Sequence, residues 1–88
     1  MNTQHLNILI VEDDEVDRLE ISRSLKRSGF HVELQFADDH ESGLQRSMER
    51  EYDCIFLDHN LPGGTGLDVL KSLRENGCLT PVIIMTAH

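Results

Sequence analysis

The feature that most constrains the fold of this chain is a set of three short apolar runs, each followed by a polar or acidic residue. The runs occupy residues 8–11, 54–57 and 82–85. Continuous, largely β-branched runs of this length are typical of strands that are buried on both faces of a parallel sheet. The sequence therefore predicts three strands whose pattern is that of the interior of a sheet.

A first helix and a strand of different character separate the first two runs. Val16, Leu19 and Leu25 recur at roughly helical spacing, and Gly29 is placed to end that helix. Residues 31–36 alternate between apolar and polar side chains, which indicates a strand with one wet face. We expect this strand at a margin of the sheet.

Two further helices are predicted from capping patterns. Asp38 followed by Glu41 resembles a capping box, in which the first side chain accepts from the backbone at the helix start and the second reaches back. Thr65 and Asp68 repeat the pattern before a third helix, which Gly77 closes. A loop is expected over residues 60–64.

The resulting order alternates strands with helices along the whole chain. Such an order calls for a doubly wound α/β fold, with a parallel sheet, right-handed crossovers and helices on both faces. Ligands bind such sheets outside the carboxyl ends of the strands. The residues that follow the three apolar runs should therefore meet at one edge of the sheet and form the site.

Charge and cysteine content limit the possible partners and locations. The chain of 88 residues has 16 acidic and 8 basic side chains and a formal net charge of −8, so a nucleic-acid backbone would be repelled. No apolar run approaches membrane-spanning length. Cys54 and Cys78 are isolated, which favours reduced thiols over a disulfide or zinc site. We expect a cytoplasmic protein that contacts neither nucleic acid nor membrane directly.

The acids at the strand ends indicate a cation site. Glu12 and Asp13 follow the first apolar run, and Asp58 follows the second. Three converging carboxylates repel one another and raise one another's pKa unless a cation lies between them. The competing interpretation is that acids after a strand only cap the next helix, which we expect of Asp14, Glu15 and Asp17.

Three segments in the right order resemble the receiver domain of two-component response regulators. They read ILIVEDDE over residues 8–15, IFLDHNLPGGTG over 55–66 and VIIMTA over 82–87. The resemblance implies a flavodoxin-like fold with strand order 2-1-3-4 and a fifth strand, whose lysine also serves the site. Residues 1–88 would supply four of the five strands and form a receiver domain that is incomplete at its C-terminus.

The resemblance also assigns roles to individual residues. Asp58 would be the phosphoacceptor, which takes a phosphoryl group from a histidine kinase or phosphotransfer protein. Glu12 and Asp13, with Asp58 and the backbone carbonyl of Asn60, would hold Mg²⁺ or Mn²⁺, a hard cation that prefers oxygen ligands. Thr86 would be the switch hydroxyl. The chain would then be a signalling module and not an enzyme.

Three neighbours of these positions receive weaker assignments. Ala87 fits the resemblance because a larger side chain beside Thr86 would crowd a phosphoryl group. His59 and His88 flank the site in sequence, and we interpret both as polar surface residues. Neither histidine has a second ligand at the spacing of a zinc site.

Two other functions compete with the phosphorylation switch. The fourth strand would be an open edge in this chain, and such an edge can pair with another copy in a homodimer or swapped dimer. A phosphorylation-independent interaction module of the same fold is therefore the alternative. A phosphatase of the haloacid dehalogenase type is less favoured, because that family places an acid two residues after its aspartate and Asn60 stands there.

Overall fold

The structure, a computed structural model, describes residues 5–86 and alternates strands with helices along the chain. The elements are β1 His5–Val11, α1 Glu15–Lys26, β2 His31–Ala37, α2 His40–Glu49, β3 Cys54–Asp58, β4 Asn60–Leu61, β5 Gly64–Thr65, α3 Gly66–Glu75 and β6 Val82–Met85. All three helices and all four long strands that the sequence predicts are present. No helix in this part of the chain is long and apolar enough to cross a membrane.

The long strands form one parallel sheet in the order β2-β1-β3-β6. Because β6 is the fourth long strand along the chain, this order is the predicted 2-1-3-4 arrangement. The short strands β4 and β5 form a separate antiparallel pair. This hairpin was not predicted, since residues 60–64 were expected to be a loop.

The main core lies between one face of the sheet and the helices α2 and α3. Fully buried side chains of this core come from the two central strands and from α3: Leu9, Val11, Ile55, Leu57, Val69 and Leu73. Side chains alternate along a strand, so Ile10 faces the other side, where α1 lies beside Phe36. The helices thus cover both faces, as a doubly wound fold requires.

The two outer strands leave edges of the described sheet unpaired. His31 and Glu33 of β2 are exposed, which confirms that this strand lies at the sheet margin with one wet face. At the other margin, Ile83 of β6 is 47% exposed. Pairing of two copies through β6 stays a prediction.

The predicted start of α2 is wrong by one residue. Asp39, not Asp38, is the N-cap: its carboxylate accepts from the Ser42 N–H at 2.7 Å, and the Ser42 hydroxyl accepts from the Asp39 N–H. The cap is still local: Ser42, three residues after Asp39, completes a capping box in the place where Glu41 was expected to do so after Asp38. Farther along the helix, Gly43 packs against Val11, where a methyl group would lie 2.7 Å from Val11 Cγ1.

The apolar positions of α1 are also less buried than helical spacing suggests. Val16 and Leu19 are 64% and 50% exposed, whereas Ser22 is buried and its hydroxyl donates to the Arg18 carbonyl at 2.7 Å. A small hydroxyl with an internal partner can face a sheet at little cost. The helix itself is confirmed, but of its three predicted apolar positions only Leu25 is half-buried.

Candidate functional site

The acidic ends of β1 and β3 lie side by side. Parallel register pairs Val11 with Leu57, so the next residues, Glu12 and Asp58, lie side by side at the carboxyl ends of the two strands. The Glu12 N–H donates to the Ala37 carbonyl at 2.9 Å, which extends the hydrogen bonding of β1 by one residue. One carboxylate oxygen from each of Glu12, Asp13 and Asp58 lies within 4.8 Å of the other two.

The three carboxylates differ in their contact with solvent. Glu12 and Asp58 are 4% and 6% exposed, whereas Asp13 is exposed. Glu12 accepts from the Asp14 N–H at 3.1 Å, and Asp58 accepts from the Asn60 N–H at 3.4 Å. Asp14 instead caps α1, as the alternative interpretation of these acids proposed for that residue. The cluster therefore has a buried base and an open side.

Burial is the main reason that the Glu12 carboxyl holds its proton unusually well. Loss of solvent contact raises its pKa from 4.5 to about 7, the Asp14 hydrogen bond opposes this, and the negative charge of Asp58 adds to the rise. A nearby cation would reverse the balance by favouring the charged form. The three carboxylates repel one another when no cation is near. Their oxygen atoms are the kind of ligand that a hard divalent ion prefers.

This raised pKa predicts how stability depends on pH. The folded state binds the Glu12 proton more tightly than the unfolded state, so the stabilisation is complete below pH 4.5 and is lost as pH rises to about 7. With a chelator present, unfolding free energy should fall between pH 5 and pH 8 by on the order of 2 kcal/mol more in the parent than in Glu12→Gln. Urea unfolding at pH 5 and at pH 8 measures the unfolding free energy of both proteins.

Two other carboxyl groups have a shifted pKa, and neither affects this experiment. Hydrogen bonds from Ser42 and Thr65 lower the pKa of Asp39 and Asp68 respectively, so these two groups lose their stabilisation only in more acidic solution. They therefore contribute nothing across the chosen pH window. Equal falls in the parent and in Glu12→Gln would contradict the assigned origin of the effect.

Asn60 and Thr86 each line a groove together with acids of the cluster. Asn60 shares one groove with Asp13, and Thr86 shares another with Glu12 and Asp58. Thr86 follows Met85, which pairs with Asp58 across the sheet, and is exposed. The structure therefore brings all five predicted site residues to one edge of the sheet.

The weaker assignments have mixed outcomes. His59 is half-buried, and its backbone is fixed by bonds to two segments: its N–H donates to the Met85 carbonyl at 2.8 Å and its carbonyl accepts from Gly66. The interpretation of its side chain as a surface group stays a prediction. Ala87 and His88 lie outside the described residues.

Gly66 is a site residue that sequence reasoning missed. A methyl group at this position would overlap the backbone oxygen of Asp58 and approach His59 Cα at 3.4 Å. The Gly66 N–H donates to the His59 carbonyl at 3.0 Å. The sequence shows only a glycine after a helix cap, and nothing local indicates that the segment packs against the carboxylate-bearing strand end.

Comparison with known proteins gives one family over nearly all of the chain. The family model for the response regulator receiver domain matches residues 8–88. The transcriptional regulatory protein CiaR of Streptococcus pneumoniae is 44% identical over 87 residues, and DltR of Streptococcus agalactiae is 39% identical over 82. Each alignment covers 93% of this chain but only 35% and 36% of those proteins, so the chain spans about a third of their length.

Solved structures agree with this result. The response regulator MaeR bound to beryllium trifluoride is 30% identical with a TM-score of 0.84, and the match covers 94% of this chain and 68% of that one. The receiver domain of a sensor histidine kinase from Pseudomonas aeruginosa, with a magnesium ion coordinated in its active-site cleft, is 29% identical with a TM-score of 0.83. That match covers 96% of this chain and 69% of that one.

Proposed function

We propose that this chain, which belongs to the response regulator receiver domain family, accepts a phosphoryl group on Asp58. Phosphorylation would then switch an output. The donor would be a histidine kinase or a phosphotransfer protein. The observation that carries the proposal is the convergence of Glu12, Asp13 and Asp58 at the ends of β1 and β3. Residues 1–88 would form most of one receiver domain.

The acceptor must present a carboxylate oxygen to the incoming phosphoryl group in a fixed orientation, and Asp58, although largely buried, lines an open groove. An Asp58 oxygen attacks phosphorus, a new oxygen–phosphorus bond forms, and the bond from phosphorus to the donor breaks, so that the donor leaves with that electron pair. The product is an acyl phosphate. The hydrogen bond from the Asn60 N–H restrains the carboxylate while its groove remains open.

Mg²⁺ or Mn²⁺ is the proposed cofactor, held by Glu12, Asp13, Asp58 and the Asn60 carbonyl. When bound, such an ion supplies positive charge against the phosphoryl oxygens, which would otherwise be repelled by the acids. The solved receiver domain with magnesium in its cleft supports this assignment. The oxygen-only donor set supports it independently.

Thr86 is the proposed switch residue. Its hydroxyl can donate to an oxygen of phosphorylated Asp58, because both side chains line one groove. Thr86→Ala should still be phosphorylated but should lose the protection of neighbouring amides from hydrogen exchange that phosphorylation brings, and Thr86→Ser should keep it. Unchanged protection in Thr86→Ala would exclude the role.

The proposed role is that of a stoichiometric acceptor in the cytoplasm and not that of an enzyme. A kinase or phosphotransfer protein must approach the open side of the cluster, where Asp13 is exposed. The relatives are transcriptional regulatory proteins about three times as long as the aligned segment, so the output would lie elsewhere in the whole protein.

Phosphoryl uptake from a small donor tests this function. The protein is incubated with acetyl phosphate and Mg²⁺, and its intact mass is measured over time, with a chelator as the control. One added phosphoryl group that requires the divalent ion is expected. No uptake with Mg²⁺, or equal uptake with the chelator, would contradict the proposal.

A further inference from the structure

His40 connects the start of α2 to the hairpin β4–β5. It is the first residue of α2 and is half-buried. Its backbone N–H, one of the donors that a helix start leaves without an internal partner, donates to the Pro62 carbonyl at 3.0 Å. The hairpin is thus hydrogen-bonded to the helix.

The imidazole of His40 also occupies the space that a side chain on Gly64 would need. A methyl carbon on Gly64 would stand 2.6 Å from His40 Cδ2 and 3.1 Å from Cγ, and one on Gly63 would stand 3.6 Å from His40 Cβ. Gly63 has φ of +88°, a conformation that glycine adopts readily and other residues do not. Two glycines therefore give the ring a flat surface to pack on.

The same hairpin also carries a residue of the proposed metal site, Asn60. Leu61 pairs with Gly64, and Asn60 pairs with Thr65, so the ring and Asn60 act on the same two-strand ladder. Asn60 and Gly64 line the groove that contains Asp13. Movement of the hairpin away from α2 would move the Asn60 carbonyl relative to Asp13.

We propose that His40 is a positioning residue for the metal site: through its N–H and its ring it holds the hairpin so that the Asn60 carbonyl faces the groove shared with Asp13. This inference rests on the proposed function, because it assumes that the acids bind a divalent cation. It assigns no contact between His40 and the cation. Its effect passes through Gly64 and the strand pair to Asn60.

A double-mutant cycle between His40 and Gly64 tests this pathway, with Mn²⁺ affinity measured by calorimetry. His40→Ala should weaken Mn²⁺ binding about tenfold, since loss of a group that supports a metal ligand costs about 10-fold to 100-fold. Gly64→Ala should also weaken it about tenfold, because its methyl group displaces the ring. In the His40→Ala background, Gly64→Ala should have no further effect, since there is no ring to displace.

Two controls separate positioning from general destabilisation. His40→Phe keeps a flat ring over the glycines and should bind Mn²⁺ within about twofold of the parent, and so should His31→Ala, which removes an exposed histidine of β2. If His40→Ala does not fold, His40→Phe decides the result. A tenfold loss in His40→Phe would then overturn the proposal.

The remaining outcomes distinguish this inference from the function on which it rests. Parent-like affinity in His40→Ala, or equal losses from Gly64→Ala in both backgrounds, would overturn the role of His40 and leave the metal site intact. A parent protein that binds no Mn²⁺ would instead refute the proposed cofactor. Each result therefore supports or excludes one of the two statements.

Discussion

Asp58→Asn is expected to abolish phosphoryl uptake completely. The amide lacks the negative charge that makes the carboxylate a nucleophile, yet it matches the carboxylate in shape, so the fold should persist. The side chain is 6% exposed and closely surrounded, which makes an isosteric change preferable to Asp58→Ala. Intact mass after incubation with acetyl phosphate and Mg²⁺ measures the uptake.

Asp38→Asn is the matched control for this prediction. Asp38 is an exposed aspartate directly after β2 that lies outside the acidic cluster and is not the N-cap of α2; its side chain accepts a hydrogen bond of 3.4 Å from the Ser42 hydroxyl. The Asp38→Asn variant should take up one phosphoryl group at the parent rate. Residual uptake in Asp58→Asn at the parent rate would show that another residue is the acceptor.

Gly66→Ala is expected to cost about 3 kcal/mol of unfolding free energy, a large part of the stability of a chain this size. The added methyl group would overlap the backbone oxygen of Asp58, and backbone at a strand end cannot rotate away as a flexible side chain could. Relief of the overlap must move either α3 or the end of β3. Urea unfolding measures the loss, and slower phosphoryl uptake should accompany it.

Gly77→Ala separates this steric cost from the ordinary cost of replacing a glycine. Gly77 has φ of +81°, and a methyl group there would meet no atom within 4 Å. Its replacement should cost only about 1 kcal/mol, from backbone strain, and should leave phosphoryl uptake unchanged. Equal losses in the two variants would contradict the close approach of Gly66 to Asp58.

The fold was predictable because its strands carry a strong local signal. Residues 8–11 and 54–57 are apolar throughout, a pattern typical of strands covered on both faces, and Leu9 and Ile10, which face opposite sides of β1, are both fully buried. The convergence of Glu12 with Asp58 followed from the same reasoning, since parallel strands end at one edge. The metal and phosphorylation roles of these acids stay predictions.

What the sequence could not give depends on contacts between distant segments. The close packing of Gly43 in α2 on Val11 in β1 is one such contact. The contact of Gly66 with Asp58 and that of His40 with Gly64 likewise join residues from different elements. Such close approaches are set by tertiary packing, so spacing along the chain carries no sign of them.

The central claim is that folding delivers the acids after β1 and the acid that ends β3 to one divalent cation. A crystal of the protein grown with Mn²⁺ tests it most directly, because anomalous scattering locates that ion independently of the atomic coordinates. The account predicts one strong peak within ligand distance of the Asp13 and Asp58 carboxylates and the Asn60 carbonyl. A saturated crystal with no peak there, or with Asp13 and Asp58 bound to separate ions, would contradict it.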